Sequence, residues 1–505
     1  FYLSDLSAKA LMIDAALDSP ARDVAASLGI PVIELSPAVE ESAGLFLIDG
    51  ELPPLLEPPS PDPDRVALVL HTSGTTSRPK LVPLSHRNLT TSAAAIVRTL
   101  ALESGDRCLN VMPLFHIHGL VAAVLASLTA GGCVACTPGF VAPSFFDWMA
   151  EFGPTWYTAV PSMHQAIVAR AADHAATVAA SRLRFIRSSS SALPRATLAE
   201  LERVFGVPVV EAYGMTEAAH QMTSNPLPPR ARKPGSVGVA AGPEVAVMGP
   251  DGATLPAGET GEVVIRGPGV IRGYAHNAAA NAVAFTRGWF RTGDQGYLDA
   301  DGYLFLTGRL KELINRGGEK VSPLEVDEAL MEHPAVAQAL AFAVPHAVLG
   351  EEVGAAIVLR SGAAATAADL REVVAARLAY FKVPRRIVFL DSLPKGPTGK
   401  PQCLGLADRL AITASEPAPA GPAGVGPRTP VEEILAEVWQ DVLRRAPTGV
   451  HENFFEAGGD SMLAIRFTSR VRELLGVELS LLMFFDGPSI AAMGDAVHSM
   501  LQAVT

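Results

Sequence analysis

Apolar and polar positions change their period several times along the chain, and each period predicts a different kind of element. Up to about residue 309, apolar runs alternate with Ala- and Leu-rich segments of helical spacing; the runs are VALVLHT, RCLNVMPLF, TWYTAV, RFIRSSS and VPVVEAYG. Such alternation is typical of parallel sheets covered by helices. At the start of the chain, AKALMIDAAL is predicted to be a helix and IPVIEL a strand. We therefore expect an α/β fold here.

The later segments predict smaller units. GEVVIRG and YLFLTGR alternate in the manner of a small antiparallel barrel, and residues 310–411 predict a compact α+β lobe with a helix that opens at Ser322-Pro323. Residues 412–430 are rich in Ala, Pro and Gly, which is typical of an extended linker. Residues 431–505 contain three segments of helical period and a short FFDGPS turn, which fit a small all-α bundle of the four-helix type. The predicted domains are 1–309, 310–411 and 431–505.

Composition supports this picture and excludes some functions. The 505 residues are 49% hydrophobic and 18% charged, which favours several well-buried domains. The net charge of -12 argues against a nucleic-acid partner. Residues 119–146 carry no charge and could suggest a membrane span. Gly131-Gly132 and Pro138 interrupt them, so we expect a short buried helix followed by a strand, and no membrane partner.

The four cysteines form neither a disulfide framework nor a paired zinc-ligand set, so a cytoplasmic location is expected. Cys133 and Cys136 are interpreted as buried strand cysteines rather than metal or redox ligands. The chain opens at Phe1 with no initiator Met and no export signal, and we expect an N-terminal part to precede it.

One loop carries a phosphate-binding composition. HTSGTTSRPK, residues 71–80, follows an apolar strand and combines hydroxyl residues, a glycine and cations. Backbone N–H groups and hydroxyls in such a loop can bind phosphate oxygens while Lys80 neutralises charge. The spacing differs from GxxxxGK[ST], which disfavours a P-loop ATPase. A solvated Ser/Thr turn remains the alternative for this stretch alone. The candidate residues are Thr72, Ser73, Gly74, Thr75, Thr76 and Lys80.

Two reactive positions lie near the C-terminal end. Lys400 in LPKGPTGK is a candidate catalytic cation, with an exposed loop lysine as the alternative. Ser461 in FFEAGGDSM follows a Gly-Gly turn at the start of a predicted helix, where a hydroxyl is accessible to modification. It could also be an ordinary helix-starting serine.

Several motifs occur in one order and together carry a resemblance. They are HTSGTTSRPK, MPLFHIHG, YGMTE, GWFRTGD, GRLKELINRGGEKVSPLEVD and PKGPTGK. Residues 1 to about 411 resemble the adenylate-forming superfamily of acyl-CoA synthetases, peptide-synthetase adenylation domains and luciferases. Ser77 and Leu81 stand where glycines are more usual, which bears on loop mobility.

The resemblance implies roles for individual residues. It implies that ATP and Mg²⁺ bind near YGMTE, where Thr216 contacts the α-phosphate, Glu217 holds Mg²⁺ and Tyr213 lies against adenine. It also implies that Asp294 and Arg309 bind the ribose. Lys400 would offset repulsion between the attacking carboxylate and the α-phosphate. In the same family pattern the small lobe rotates about Lys311 and brings Gly317-Gly318 to the acyl-adenylate for thiol attack.

Residues 431–505 resemble an acyl or peptidyl carrier domain. The resemblance implies a 4'-phosphopantetheine arm on Ser461, a phosphopantetheinyl transferase that attaches it, and downstream enzymes that act on the carrier.

The predicted substrate is a small carboxylic acid. Amino-acid-selecting domains of this superfamily place an aspartate in the segment where this chain has His116 and His118, so an amino acid is disfavoured. The motifs resemble most the oxalate-CoA ligase branch, with the malonate branch nearby. Ser189, Ser190 and His220 are candidates for binding a second carboxylate, and His118 completes this pocket set. By the same resemblance His116 closes the pocket. His220 could equally be structural, and a hydrophobic or aryl acid is the alternative substrate.

The favoured hypothesis is an acid-thiol ligase that forms an acyl-AMP and loads its own carrier. One alternative is a ligase that uses free CoA beside a passive carrier module. The other is a non-catalytic scaffold that presents the carrier, a function for which Thr216, Glu217, Asp294 and Lys400 are not needed.

Overall fold

A computed structural model of the chain describes residues 1–41, 44–49, 62–72, 79–346, 349–395, 402–412, 424–454, 457–459, 461–479, 484 and 487–503. By contacts the chain divides into two compact units, Phe1–Asp62 and Pro63–Thr505.

The first unit is a three-stranded sheet with two short helices. Its elements are α1 (Tyr2–Asp5), β1 (Leu11–Asp14), α2 (Ala21–Ser27), β2 (Val32–Pro37) and β3 (Phe46–Asp49). The predicted strand at IPVIEL is confirmed as β2. The predicted helix at AKALMIDAAL is wrong, because Leu11–Asp14 pairs in parallel with β2, Leu11 opposite Val32. Pairing with a partner strand overrides the helix propensity of the flanking Ala and Leu residues.

A seven-stranded sheet forms the centre of the second unit. Its strands are β6 (Arg107–Asn110), β7 (Cys133–Cys136), β8 (Trp156–Ala159), β9 (Phe185–Ser188), β10 (Val209–Met215), β11 (His220–Ser224) and β12 (Val239–Ala240). The spatial order is β12-β11-β10-β9-β8-β6-β7. The ladders from β10 to β7 are parallel, as predicted, and β11 and β12 add antiparallel pairs.

The VALVLHT run forms a strand outside this sheet. It is β4 (Val66–His71), and it pairs antiparallel with β5 (Leu81–Ser85). The connection spans residues 72–80, which is too short for the crossover that a parallel pair requires. The hairpin therefore brings both ends of the HTSGTTSRPK loop together.

Helices pack on the central sheet and bury its apolar faces. They are α3 (His86–Leu100), a π-helix (His118–Leu125), α4 (Ala126–Thr129), α5 (Phe145–Phe152), α6 (Pro161–Val168), α7 (Ala175–Ala179), α8 (Arg195–Phe205) and the 3₁₀ segment Ala171–His174. Two core clusters lie on the sheet, one around Trp156 and Phe185 and the other around Tyr157 and Phe145. This packing buries the strands of the central sheet, and the polar residues at the ends of these strands are described in the next subsection.

The uncharged stretch 119–146 contains a buried helical segment followed by β7, as predicted. Within the described residues, no helix combines the length and apolar character needed to cross a bilayer. The predicted burial of Cys133 and Cys136 is wrong, because both are exposed. β7 is the edge strand of the sheet, so its side chains lack the neighbours that a central strand supplies.

An antiparallel sheet follows the central sheet. It contains β13 (Glu244–Met248), β14 (Gly261–Arg266), β15 (Phe285–Thr286), β16 (Trp289–Leu298) and β17 (Leu304–Arg309), with α9 (Ala278–Ala284) between β14 and β15. The order is β13-β14-β16-β15, and β17 pairs with β16. The predicted strands GEVVIRG and YLFLTGR are confirmed as β14 and β17.

The next lobe is α+β, as predicted. Its elements are β18 (Ile314–Arg316), β19 (Glu319–Val321), α10 (Pro323–Met331), β20 (Val336–His346), β21 (Gly350–Leu359), α11 (Ala367–Ala375), β22 (Arg386–Phe389) and α12 (Leu406–Arg409). α10 begins at Pro323 after Ser322, whose backbone N–H donates to the Glu325 carboxylate at 3.1 Å. This contact satisfies one donor at the helix start.

The C-terminal residues form helices around an aromatic core. They are α13 (Pro430–Leu443), α14 (Ser461–Leu475) and α15 (Ile490–Ala503), which confirm the three predicted helical segments. Trp439, Phe454, Phe467 and Phe484 are fully buried, and their rings contact one another edge to face. Tyr380 of the preceding lobe packs against this cluster. A small all-α domain is thus built on one aromatic centre.

Candidate active site

Some predicted site residues lie outside the part of the chain that the structure describes. Lys400, Ser73, Gly74, Thr75 and Thr76 belong to this group. Their roles stay predictions, and the neighbouring residues define the site.

Thr72 and Lys80 flank the predicted phosphate loop at the end of the β4–β5 hairpin where the two strands are connected. The Thr72 backbone N–H donates to the Lys80 carbonyl at 2.9 Å, and the Lys80 backbone N–H donates to the Thr72 hydroxyl at 3.2 Å. The Lys80 ammonium lies 4.4 Å from the centre of the Tyr274 ring. A cation is therefore held at the base of the loop by a cation–π contact.

Glu217 is a buried carboxylate directly after β10, in the short 3₁₀ helix Thr216–Ala218. Its side chain accepts a hydrogen bond from the Tyr274 hydroxyl at 2.8 Å. Burial raises the pKa of Glu217, and the hydrogen bond from Tyr274 and the charges of Lys80 and Arg309 oppose that rise. A hard divalent cation prefers such a carboxylate oxygen, so the donor set here fits Mg²⁺.

Thr216 precedes Glu217 and is half-buried, so the two predicted residues are adjacent at the end of β10. Tyr274 was not among the predicted site residues. A tyrosine in the GYAH turn carries no spacing signal in the sequence, and its contact with Glu217 joins positions 57 residues apart.

Asp294 and Arg309 lie opposite each other in the β16–β17 ladder. The Arg309 Nε donates to an Asp294 carboxylate oxygen at 2.6 Å, and the Tyr213 hydroxyl donates to the other oxygen. Burial raises the pKa of Tyr213 well above its ordinary value, and the neighbouring Asp294 charge raises it further. The attraction of Asp294 raises the pKa of Arg309. A carboxylate held by two donors in this way suits binding of ribose hydroxyls.

A second group of polar side chains surrounds His118. The His118 Nδ1 lies 3.0 Å from the Ser190 hydroxyl, and its Nε2 lies 2.6 Å from the Thr158 hydroxyl. The ring of His220 lies 5.0 Å from the ring of His118. The backbone N–H of His118 donates to the Nδ1 of His116 at 3.2 Å. The structure thus brings together four of the five predicted pocket residues.

Ser189 is the fifth, and its hydroxyl is engaged in a hydrogen bond to the backbone. It donates to the Ala212 carbonyl at 2.8 Å, and the residue is buried. Ser190 is half-buried and has a φ of 77°, a left-handed conformation that is costly for a residue with a side chain. That conformation turns the chain at the end of β9 and directs the Ser190 hydroxyl toward His118.

Arg187 is a buried cation beneath this group that the sequence prediction missed. It is 0% exposed, and its guanidinium lies 3.4 Å from the Thr158 hydroxyl, from the His118 Nε2 and from the Gln221 amide oxygen. Within the described residues no carboxylate forms an ion pair with it. Burial lowers the pKa of Arg187 to about 9. The sequence does contain a signal for this buried cation. It is the arginine inside the apolar RFIRSSS strand, because charged residues are rare in central strands.

Comparison with known proteins decides the family. Residues 1–275, more than half of the chain, match the AMP-binding enzyme family, and residues 325–400 match the AMP-binding enzyme C-terminal domain. The chain belongs to the AMP-binding enzyme family. Residues 433–497 match the phosphopantetheine attachment site family.

Relatives of this AMP-binding enzyme are named as CoA ligases. An oxalate–CoA ligase of Arabidopsis thaliana is 46% identical over 80% of this chain and 79% of its own length. An oxalate–CoA ligase of Saccharomyces cerevisiae is 47% identical over 68% of this chain and 63% of its own. A sulfoacetate–CoA ligase of Cupriavidus necator is 41% identical over 75% of this chain and 74% of its own. This AMP-binding enzyme is accordingly an acid-thiol ligase.

Solved structures show the same fold. ATP-bound MatB from Rhodopseudomonas palustris superposes with a TM-score of 0.72 at 31% identity, and 81% of each chain is covered. The family uses ATP and Mg²⁺, and the attachment-site domain carries phosphopantetheine. The Asp294 and Glu217 environments described above fit that nucleotide and that metal chemically.

The AMP-binding enzyme places its predicted hinge and tunnel residues on the surface. Lys311 is exposed and lies two residues after β17 ends, between the antiparallel sheet and the α+β lobe. Gly317 and Gly318 form the turn between β18 and β19, with φ of 57° and 98°. A side chain in that conformation would be strained, so glycine suits this turn.

Ser461 is the first residue of α14, and its side chain lies outside the described atoms. Gly458 precedes it with a φ of 98°, and the Gly459 N–H donates to the Phe454 carbonyl at 2.9 Å. A side chain at Gly459 would collide with the buried Phe454 ring at 2.3 Å. The Gly-Gly turn is therefore needed to present the helix start.

Proposed function

We propose that this enzyme activates a short acid with a second anionic group as its acyl-AMP and transfers the acyl group to the phosphopantetheine thiol on its own Ser461. In the first step the acid carboxylate attacks the α-phosphorus of ATP and pyrophosphate leaves. In the second step the thiolate attacks the acyl carbonyl and AMP leaves. Atoms and charges balance in both steps.

The arrangement around His118 carries the substrate part of this proposal. The Ser190 hydroxyl, linked through His118 to the buried Arg187, offers a polar contact backed by positive charge, and both favour an anionic acid over an aryl acid. Two relatives are named for oxalate and one for sulfoacetate, acids that carry two anionic groups. We expect an acid of that class to bind beside Ser190.

The residues of the nucleotide half have separate tasks in the first step. Asp294 and Arg309 would orient the ribose, and Lys80 and Lys400 would offset negative charge on the phosphates. Glu217 would hold Mg²⁺, which draws electron density from the phosphate oxygens when it is bound. Thr216 would donate its hydroxyl to the α-phosphate.

The carrier part of the proposal rests on tethering. The linker at 412–430 joins the carrier to the small lobe, and a short tether raises the effective concentration of the arm, typically to about millimolar. The relatives' names favour the second candidate function, in which free CoA accepts the acyl group and the carrier is passive. The two functions share every residue of the first step and differ in the acceptor.

Mass spectrometry of the full-length protein tests the choice. The phosphopantetheinylated enzyme is incubated with ATP, Mg²⁺ and oxalate, malonate or sulfoacetate, with and without CoA. We expect an acyl mass gain on the Ser461 arm without CoA, and none in Ser461→Ala. Formation of acyl-CoA without any mass gain on the protein would establish the second function instead.

A further inference from the structure

Four side chains near the predicted acid pocket form a continuous hydrogen-bonded chain. It runs from Arg187 to the Thr158 hydroxyl at 3.4 Å, to the His118 Nε2 at 2.6 Å, and from the His118 Nδ1 to the Ser190 hydroxyl at 3.0 Å. Arg187, Thr158 and His118 are each 0% exposed, whereas Ser190 is half-buried. The chain therefore connects a buried charge to one accessible hydroxyl.

The chemistry of its first member fixes the direction of every hydrogen bond. A guanidinium only donates, and it lies 3.4 Å from both the Thr158 hydroxyl and the His118 Nε2, so both atoms face it as acceptors. An Nε2 without a proton then accepts the hydrogen bond from the Thr158 hydroxyl at 2.6 Å. A neutral His118 then carries its proton on Nδ1 and donates to the Ser190 oxygen. The Ser190 proton is left to point away from His118.

Gln221 keeps the guanidinium in place on its other side. Its amide nitrogen donates to the Ala241 carbonyl at 2.9 Å, so its oxygen is turned to Arg187 at 3.4 Å. Among the described residues, the side chains hydrogen-bonded to Arg187 are thus neutral acceptors, which stabilise the cation without cancelling its charge. The field of an uncancelled buried cation reaches a nearby anion with little screening.

We propose that Arg187 and Thr158 are positioning residues that set the His118 tautomer, so that Ser190 acts as a hydrogen-bond donor to the second anionic group of the acid. This inference rests on the proposed substrate class. The buried charge makes the pocket select an anionic distal group over a neutral one of the same shape. Ser190 meets the acid, and Arg187 and Thr158 act through His118 on Ser190.

Pyrophosphate exchange with oxalate and with its monoamide, oxamate, separates charge from shape. We expect Arg187→Met to raise the KM for oxalate about tenfold or more and the KM for oxamate less, because only oxalate loses a charge interaction. Arg187→Lys should recover part of the oxalate preference. We expect Thr158→Val to raise both KM values by about threefold to tenfold, because the donor orientation of Ser190 serves both acids. The KM for ATP should stay within about twofold of wild type in each variant.

Ser127→Ala is the matched control, since it removes a buried hydroxyl that donates to the Ala123 carbonyl at 2.7 Å. It should leave both KM values unchanged. An unchanged oxalate-to-oxamate ratio in Arg187→Met, or a loss of ATP affinity that matches the loss of acid affinity, would overturn the inference. A wild-type enzyme that exchanges with monocarboxylic acids but never with oxalate, malonate or sulfoacetate would instead overturn the proposed substrate class.

The tautomer can be measured without any substrate. Nitrogen-15 NMR of histidine-labelled full-length protein, with His118 assigned by its loss in His118→Gln, distinguishes a proton on Nδ1 from one on Nε2. We expect the Nδ1 proton in wild type and a mixture of tautomers in Thr158→Val. A wild-type Nε2 proton would refute the positioning role even if oxalate proves to be the substrate.

Discussion

At the scale of single residues, Asp294 shows how a carboxylate is held ready to bind a polar ligand. Its two oxygens receive hydrogen bonds from Arg309 and Tyr213, and the residue is 6% exposed. Holding the group in one orientation before binding avoids the cost of ordering it afterwards.

We expect Asp294→Asn to raise the KM for ATP by about tenfold to a hundredfold, because an amide pairs poorly with Arg309 and accepts fewer hydrogen bonds from ribose. Pyrophosphate exchange at varied ATP concentration measures this change. Asp301→Asn, at an exposed carboxylate paired with Lys233 at 2.7 Å, is the control and should leave KM unchanged. An equal KM for ATP in Asp294→Asn would argue against the ribose role.

Glu211 on β10 predicts a pH dependence of stability. Burial raises its pKa from 4.5 to about 8, and Glu328 adds to the rise while Arg195 and Arg232 oppose it. Between those two values the unfolded chain ionises more readily than the folded one, so this residue lowers stability as pH rises. We expect Glu211→Gln to raise the Tm at pH 8 and to change it less at pH 5.

Calorimetry at the two pH values measures the effect. Glu259→Gln, at an exposed position, should shift the Tm equally little at both. A Glu211→Gln variant with the same Tm difference at pH 5 and pH 8 would show that the carboxyl is already ionised in the folded protein.

At the scale of elements, the parallel part of the central sheet explains why distant residues meet. β10, β9, β8 and β6 are neighbours, and parallel strands end at one edge. Thr216 follows β10, Ser190 follows β9, and Thr158 is near the end of β8. Ligands bind at this edge in open α/β sheets because the loops after the strands converge there.

Helix α13 allows a test of whether the carrier domain unfolds independently of the preceding lobes. Its N-cap is Thr429, whose hydroxyl accepts from the Glu432 backbone N–H at 3.1 Å. Loss of such a cap typically costs about 1 kcal/mol. We expect Thr429→Ala to speed hydrogen exchange of amides in α13 about fivefold, while pyrophosphate exchange is unchanged.

Hydrogen-exchange mass spectrometry on the full chain measures the amide exchange rates of α13 and of the adenylation lobes, which are the central sheet, the antiparallel sheet and the α+β lobe. Thr468→Ala, which removes a hydroxyl that bonds to the Ile465 carbonyl within α14, is the control and should leave exchange of α13 unaltered. Faster exchange throughout the adenylation lobes in Thr429→Ala would mean that the two parts unfold together.

At the scale of the whole second unit, the α+β lobe lies between the catalytic sheets and the carrier in sequence and contacts both. Ser322 donates to the Thr307 carbonyl of β17, and Tyr380 packs against the carrier core. A lobe with contacts on both sides can pass a change in its position to the carrier. That suits an enzyme with two successive half-reactions.

Lys400 lies within the residues that match the AMP-binding enzyme C-terminal domain, and its predicted role separates those half-reactions. We expect Lys400→Ala to lower pyrophosphate exchange by a hundredfold or more, because a cation near the developing charge typically contributes about that much. Transfer from a supplied acyl-adenylate to the Ser461 arm should persist. Lys395→Ala, in the same PKGPTGK region, is the control. Equal loss of both half-reactions in Lys400→Ala would contradict the separation.

Local patterns predicted much of this architecture. The helical period of residues 431–505, the Ser322-Pro323 helix start and the interrupted stretch at 119–146 depend on neighbours in the chain, so they could be read directly. The ordered motifs that contain Thr216, Glu217, Asp294 and Lys400 indicated the adenylate-forming family in the same way.

Tertiary contacts decided what local pattern could not. Leu11–Asp14 is a strand because β2 pairs with it, and Cys133 and Cys136 are exposed because β7 lies at an edge. The Tyr274 contact with Glu217 and the Arg187–Thr158–His118–Ser190 chain join residues far apart in sequence. The sequence alone determined which side chains are available for chemistry. Only the packing of parallel strands decided which of them meet, because strand order and burial depend on contacts that no local period encodes.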